Sequence, residues 1–188
     1  MMVLGIDIDG VILDYENVLA KEAERYDLSI GGNGIVYQDK FSPLDQYDWN
    51  KEERKGFTDK FVEFTYCTPL VKNSKKVIDK LKKNGFKINL ISARGSINPK
   101  TKEAVLDMLN KYGINYDEIY LGIKDKEKIC KELDVNYMID DNPSICEHLS
   151  NNGVSTIYFK QSKFVIQENQ NLKVLSNWND VRDYLLKR

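Results

Sequence analysis

Short apolar runs rich in β-branched residues alternate along this chain with amphipathic stretches, and that alternation leaves few architectures open to it. The runs Val3 to Ile8, Lys87 to Ser92, Asn136 to Ile139 and Ser155 to Phe159 have the length and composition of strands buried on both faces, as in a parallel sheet. Between them, Ser74 to Asn84 sets Val77, Ile78 and Leu81 on one helical face, with Gly85 as a stop. Thr101 to Tyr112 repeats the arrangement with Val105, Met108 and Leu109, closed by Gly113. Further helices are expected over Asp125 to Leu133, Pro143 to Asn152 and Trp178 to Leu186. The pattern predicts an α/β three-layer sandwich around a central parallel sheet, with right-handed crossovers and ligands bound beyond the carboxyl ends of the strands.

The stretch from Tyr15 to Leu70 breaks this rhythm. It has an amphipathic start (YENVLAKEAERY), a Gly/Asn turn at Gly31 to Gly34 and an aromatic-rich helical tail. We read it as a small helical cap, residues 15–70, inserted after the first strand of a core domain made of residues 1–14 and 71–188. Its aromatic residues Phe41, Tyr47, Trp49, Phe57, Phe61, Phe64 and Tyr66 either cover the active edge or fill the cap's own interior. Phe57, Phe61 and Phe64 follow helical spacing and are read as interior. Gln161 to Leu175 is polar and weakly periodic and is assigned no role.

Composition narrows the function classes. Lys+Arg 28 against Asp+Glu 29 gives a formal net charge of -1, which provides no basic field for duplex nucleic acid. Cys67, Cys130 and Cys146 are odd in number and widely spaced, unlike a disulfide framework or a CxxC site. Neither a secretory signal nor a membrane-spanning run is apparent, so a cytoplasmic protein is expected. The lone histidine, His148, sits in an apparent surface helix, without the partners that triads and zinc sites need.

Three of the strand-like runs pass directly into polar residues. In GIDIDG, Asp7 and Asp9 are two apart, so strand geometry sends both carboxylates to one side, and Gly10 lets the chain turn. In IDDNP, Asp140 and Asp141 end a second run on the same predicted edge. Four acids gathered without histidine or cysteine call for a hard divalent cation such as Mg²⁺. The competing reading, that Asp140 and Asp141 cap the next helix, suits one of them better than both. Ser92, in LISARG, ends a strand where its hydroxyl and the N–H groups beyond it, from Ala93 and Arg94, could bind a phosphoryl oxygen. Arg94 is open to two readings, a phosphate or cap contact or a charge tied to an acid such as Asp117. One ammonium of Lys124, Lys126 and Lys128 could neutralise phosphate.

In this order, DIDGV, the serine of LISAR, an upstream lysine and IDDNP resemble the four motifs of haloacid-dehalogenase-like phosphohydrolases, over about Val3 to Gln161. Within that superfamily the chain looks most like the 5'(3')-deoxyribonucleotidases of cytosolic type and their bacterial relatives. The resemblance implies an Mg²⁺-dependent phosphomonoesterase for a small phosphorylated substrate, a nucleoside monophosphate by preference. Asp7 would be the nucleophile, forming an aspartyl-phosphate, and Asp9 the acid and base. Ser92 would hold a phosphoryl oxygen. Lys126 would bridge phosphate and Asp7, with Lys102 and then Lys124 as alternatives. Asp7, Asp141 and the carbonyl of Asp9 would ligate the metal, with Asp140 as a ligand or as the group orienting a bound water. Tyr15 stands where those enzymes place an aromatic ring against the base. Trp49 beside Tyr47 is all that matches their paired tryptophans. The alternatives are a phosphatase for sugar phosphates or polynucleotide 3'-phosphate ends, and a non-catalytic phosphate-binding module on the same fold. Oligomeric state is not legible in the sequence.

Overall fold

A computed structural model describes residues 1–65, 67–96, 100–161 and 163–187, the side chains of residues 62–65 and 100 excepted. Among these residues the strands are β1 (Val3–Ile6), β2 (Lys87–Ser92), β3 (Glu118–Leu121), β4 (Tyr137–Asp140), β5 (Thr156–Phe159) and β6 (Leu172–Leu175). They form one parallel sheet in the order β3-β2-β1-β4-β5-β6. The helices are α1 (Tyr15–Ser29), α2 (Lys51–Thr65), α3 (Ser74–Lys83), α4 (Lys100–Tyr112), α5 (Lys126–Glu132), α6 (Pro143–Asn151) and α7 (Trp178–Leu186). No helix among the described residues is long and apolar enough to cross a membrane.

The two-residue period of the strands decides which helices cover which face. Ile88 and Leu90 of β2 and Ile139 of β4 pack with Val77, Ile78 and Leu81 of α3, Val105 and Met108 of α4, and Trp178 of α7. Ile91 and Met138, one residue along, face the other way and meet Cys130 of α5 and Leu149 of α6. The expected three-layer sandwich is therefore observed. Gly5 of β1 lets this second face close tightly, since a Cβ there would stand 2.7 Å from the Met138 sulfur.

Two strands were not anticipated, β3 and β6, and they are the two edges of the sheet. Each is four residues long and half-exposed over most of its length, so neither carries the apolar run that marks a central strand. β1 is also shorter than expected. The Asp7 N–H still donates to the Ile139 carbonyl at 2.9 Å, but the Ile8 carbonyl then accepts from Ile12 and Leu13, closing a helical turn.

The segment that follows leaves and rejoins the core at one place. Leu13 and Leu70 form an antiparallel bridge, flanked by Asp14 N to Pro69 O and Val71 N to Ile12 O, each 2.8 Å. Between these points α1, a 3₁₀ turn at Pro43–Gln46 and α2 pack around Leu19, Ala23, Tyr47, Phe57 and Phe61, a cluster separate from those of the sheet. Phe57 and Phe61 are thus interior, as expected; the side chains of Phe64 and Tyr66 lie outside the described residues. Phe41 leaves this cluster and meets Phe164, ring centroids 5.7 Å apart.

Candidate active site

The strand order reverses at β1, with β2 on one side and β4 on the other, which opens a crevice at the carboxyl ends of these strands. Asp7 follows β1, Asp140 ends β4 and Asp141 comes next. All three are buried, and each offers an oxygen within 4.8 Å of the others. Lys126, the first residue of α5, donates from Nζ to Asp7 Oδ1 at 2.8 Å and to Asp140 Oδ2 at 2.6 Å. Asp141 fits beneath the turn after β1 only because residue 10 is glycine. A Cβ on Gly10 would lie 1.8 Å from Asp141 Oδ2, and its φ of 72° also favours glycine. Neither aspartate of IDDNP caps the next helix. Asn142 does, its Oδ1 accepting from the N–H groups of Ser144 and Ile145 at 3.0 and 3.2 Å.

Negative charge dominates this crevice. Burial, then Asp140 and Asp9, push the Asp7 carboxyl up to about 7 against the opposing pull of Lys126. Burial, with Asp140, Asp7 and Glu16, drives Asp141 well above the usual carboxylate range. Glu16, in the first turn of α1, is pushed up to about 7 by burial and then by Asp9 and Asp7. Burial disfavours the Lys126 ammonium, but Asp140 and Asp7 outweigh it and hold the side chain charged. The donor set left by Asp7, Asp140 and Asp141 is all carboxylate oxygen, in a cluster short of positive charge. That chemistry fits a hard divalent cation such as Mg²⁺ and not a thiolate- or imidazole-seeking metal.

Asp9 is held by the loop after β2. Arg94 Nε donates to Asp9 Oδ2 at 2.9 Å, and Nη2 donates to Oδ1. The Arg94 backbone N–H donates to Ser92 Oγ at 3.1 Å. The guanidinium carbon sits 4.5 Å from the centroid of the Tyr15 ring, whose edge meets Phe61 at 5.6 Å. Asp9, Tyr15, Phe57, Phe61, Ala93 and Arg94 line a cavity of about 500 Å³ between α1, α2 and the loop after β2. Arg94 is not the partner of Asp117, which instead accepts from Lys82 Nζ and the Ile88 N–H, both at 2.7 Å.

Asp7, Asp9, Ser92, Lys126, Asp140, Asp141, Tyr15, Ala93 and Arg94 are thus brought to one edge, whereas three other candidates make other contacts. Lys102 lies in the groove between the loops after β2 and β3, where a Cβ on Gly95 would come 2.2 Å from its Cγ. Lys124 is exposed, beside His148, which pairs with Glu127 at 2.7 Å. Trp49 is turned into the α1–α2 cluster, its Nε1 donating to Asp27 at 2.7 Å and its ring stacked on Tyr47 at 4.6 Å. Glu16 was not singled out in the sequence. Its position next to Tyr15, in the first turn of a helix aimed at the acids, was the available signal.

No protein-family model matches the chain. Two curated relatives do. A Bacillus cereus protein named "Putative nucleotidase" is 22% identical over 193 residues, covering 99% of each chain. A second protein so named, from Oceanobacillus iheyensis, is 25% identical over 195 residues and covers 98% of each. Among solved structures, a "predicted phosphoglycolate phosphatase" from Haemophilus somnus superposes with a TM-score of 0.70 at 13% identity, covering 98% of each chain. A HAD-superfamily hydrolase from Ehrlichia chaffeensis gives 0.59 at 14% identity, covering 100% of this chain and 98% of its own. The chain has the haloacid-dehalogenase-like fold, as its four ordered motifs imply.

Proposed function

We propose that this protein is a phosphomonoesterase in which Asp7 is the nucleophile, and that its substrate is a small phosphorylated metabolite, a nucleoside monophosphate by preference. One observation carries the reading: Asp7 is buried at the switch point of the sheet, with Lys126 on one oxygen and Asp9 beside it. Phosphoryl transfer needs an in-line nucleophile, cationic charge around the phosphoryl oxygens and a positioned acid.

Asp7 attacks phosphorus with a carboxylate oxygen, and the bond to the leaving oxygen breaks as Asp9 gives that oxygen a proton. Asp9 then takes a proton from water, which attacks the aspartyl-phosphate and returns Asp7 to a carboxylate. Lys126 faces both Asp7 and the incoming phosphate. Ser92, at the end of β2, holds a phosphoryl oxygen through its hydroxyl, with the N–H groups after it as further donors. Asp7, Asp140, Asp141 and the carbonyl of Asp9 would hold Mg²⁺, which supplies positive charge against the phosphoryl oxygens. Residues 15–70 act as a cap on the core of residues 1–14 and 71–188, closing the crevice to water during the chemistry. Tyr15 is the ring offered to the leaving group.

The nucleotidase preference is supported by the names of the two curated relatives and by the aromatic lining of the cavity. A sugar-phosphate or other metabolite phosphatase is the second reading, supported by the "phosphoglycolate phosphatase" neighbour. Phosphate release from nucleoside monophosphates and sugar phosphates, with Mg²⁺ and with EDTA, separates them. Wild type should release phosphate only with Mg²⁺, and Asp7→Asn should lose at least about a thousandfold in kcat. Hydrolysis that survives Asp7→Asn would remove Asp7 from the chemistry, and wild-type inactivity on every nucleotide would remove the substrate preference.

A further inference from the structure

Phe41 and Phe164 meet between the inserted segment and the core, their rings edge to face at 5.7 Å and 63°. Beside them the Lys163 ammonium donates to the Gln38 carbonyl. Phe41 stands outside the cluster of α1 and α2, and Phe164 outside the clusters of the sheet, so each ring finds its partner on the other side.

Each half of this contact is fastened to its own part of the molecule. On the inserted side, the Gln46 carbonyl accepts from the N–H groups of Val36 and Tyr37 at 2.8 and 2.9 Å, and Gln46 Nε2 donates to the Lys40 carbonyl at 3.0 Å. The loop before Phe41 is thereby tied to the 3₁₀ turn, whose Leu44 packs on the α1–α2 cluster. On the core side, the Tyr158 hydroxyl of β5 donates to the Phe164 carbonyl at 3.3 Å, and Ile166 is buried with Tyr158, Cys146 and Leu172. Phe41 therefore moves with the inserted helices and Phe164 with the sheet.

The sheet order shows what this contact spans. The inserted segment leaves and rejoins the core beside β1 and touches it again after β5, two strands away and so about 10 Å across the sheet. The end of β4, with Asp140 and Asp141, lies between these two footings. The footings differ in strength. At the first, backbone hydrogen bonds flank the Leu13–Leu70 bridge, and the buried Arg94 lies on Tyr15. At the second there is one aromatic edge contact and one bond from an exposed lysine, both weak interactions.

We propose that Phe41–Phe164 and Lys163–Gln38 form a latch, and that the inserted helices open by swinging about the Leu13–Leu70 bridge so that this latch parts and admits substrate over the end of β4. This rests on the phosphatase reading, in which residues 15–70 cap the crevice, and adds where the cap opens and what holds it shut.

Two measurements test it, both in a Cys67→Ser background, since Cys67 is exposed whereas Cys130 and Cys146 are buried. In Phe41→Cys/Phe164→Cys, a short bismaleimide with a cleavable disulfide joins the two halves. Hydrolysis of 4-nitrophenyl phosphate with Mg²⁺ should fall at least about tenfold in kcat/KM when joined and return when reductant cuts the linker. Separately, spin labels at Lys40→Cys and Ser176→Cys, both exposed, report the distance across the latch. Phe41→Ala and Phe164→Ala should each shift the ratio of long to short distances by about fivefold. Full activity of the joined protein would overturn the proposal, as would distances that neither alanine variant changes. A wild type that hydrolyses no phosphate ester, but whose distances respond to both alanine variants, would overturn the phosphatase reading and leave the latch standing.

Discussion

With Lys126 Nζ 2.8 Å from Asp7 and 2.6 Å from Asp140, one ammonium serves two buried carboxylates, while Asp141 and Glu16 have no ion-pair partner among the described residues. The consequence is a pH dependence whose sign can be worked out. Asp7 rises from 3.8 to about 7 on folding and Glu16 from 4.5 to about 7, so between those values the folded chain binds protons that the unfolded chain does not. Stability of the metal-free protein is then greatest toward the acid end of that window and is lost as pH rises through 7. In EDTA, the melting midpoint at about pH 5.5 should lie above that at pH 8, and Asp7→Asn should narrow the gap. Mg²⁺ should raise the midpoint more at pH 8 than at pH 5.5, because it replaces the missing protons. A metal-free midpoint as high at pH 8 as at pH 5.5 would contradict this charge balance. At this scale the acids were legible in GIDIDG and IDDNP, but the sequence offered three lysines and two partners for Arg94. Distance separates them in space, and Asp9 lies 85 residues from the arginine that holds it.

Each element presents its chemistry through its termini. α5 begins at Lys126 because Asp125 caps it, accepting from the Lys128 N–H at 2.9 Å, so the buried lysine enters the crevice from the first turn. α7 reaches the site indirectly. Trp178, fully buried at its start, donates from Nε1 to the Val11 carbonyl at 2.9 Å and so pins the turn that carries Asp9 and Gly10. Trp178→Phe keeps most of the ring packing and leaves that carbonyl unpaired, which should cost about 1–3 kcal/mol in urea unfolding and weaken Mg²⁺ binding. A variant with the wild-type midpoint would mean the Val11 carbonyl does not depend on Trp178. Helices with a clear apolar face and a glycine stop, such as α3 and α4, could be read directly. β3 and β6 could not, since an edge strand buries one side of a short segment and leaves little apolar signature.

For the molecule as a whole, the bridge between Leu13 and Leu70 makes residues 15–69 an excursion that starts and ends at one point of the core. Its interior cluster shares no buried residue with those of the sheet. Replacing 15–69 by a short Gly/Ser linker should leave a chain that melts cooperatively with the α/β circular-dichroism signature, but with the α1 and α2 side of the cavity removed and hydrolysis sharply reduced. Loss of cooperative melting would show that the two parts are one folding unit. The sequence by itself determined the α/β alternation and the acids at the strand ends, because these follow from local periodicity and from what may terminate a buried strand. Only the tertiary structure decided that Lys126 meets Asp7 across 119 residues, that Arg94 closes on Asp9, and that Trp49 turns inward. Those contacts depend on β1 lying between β2 and β4 and on how the inserted helices pack, and no local propensity encodes either.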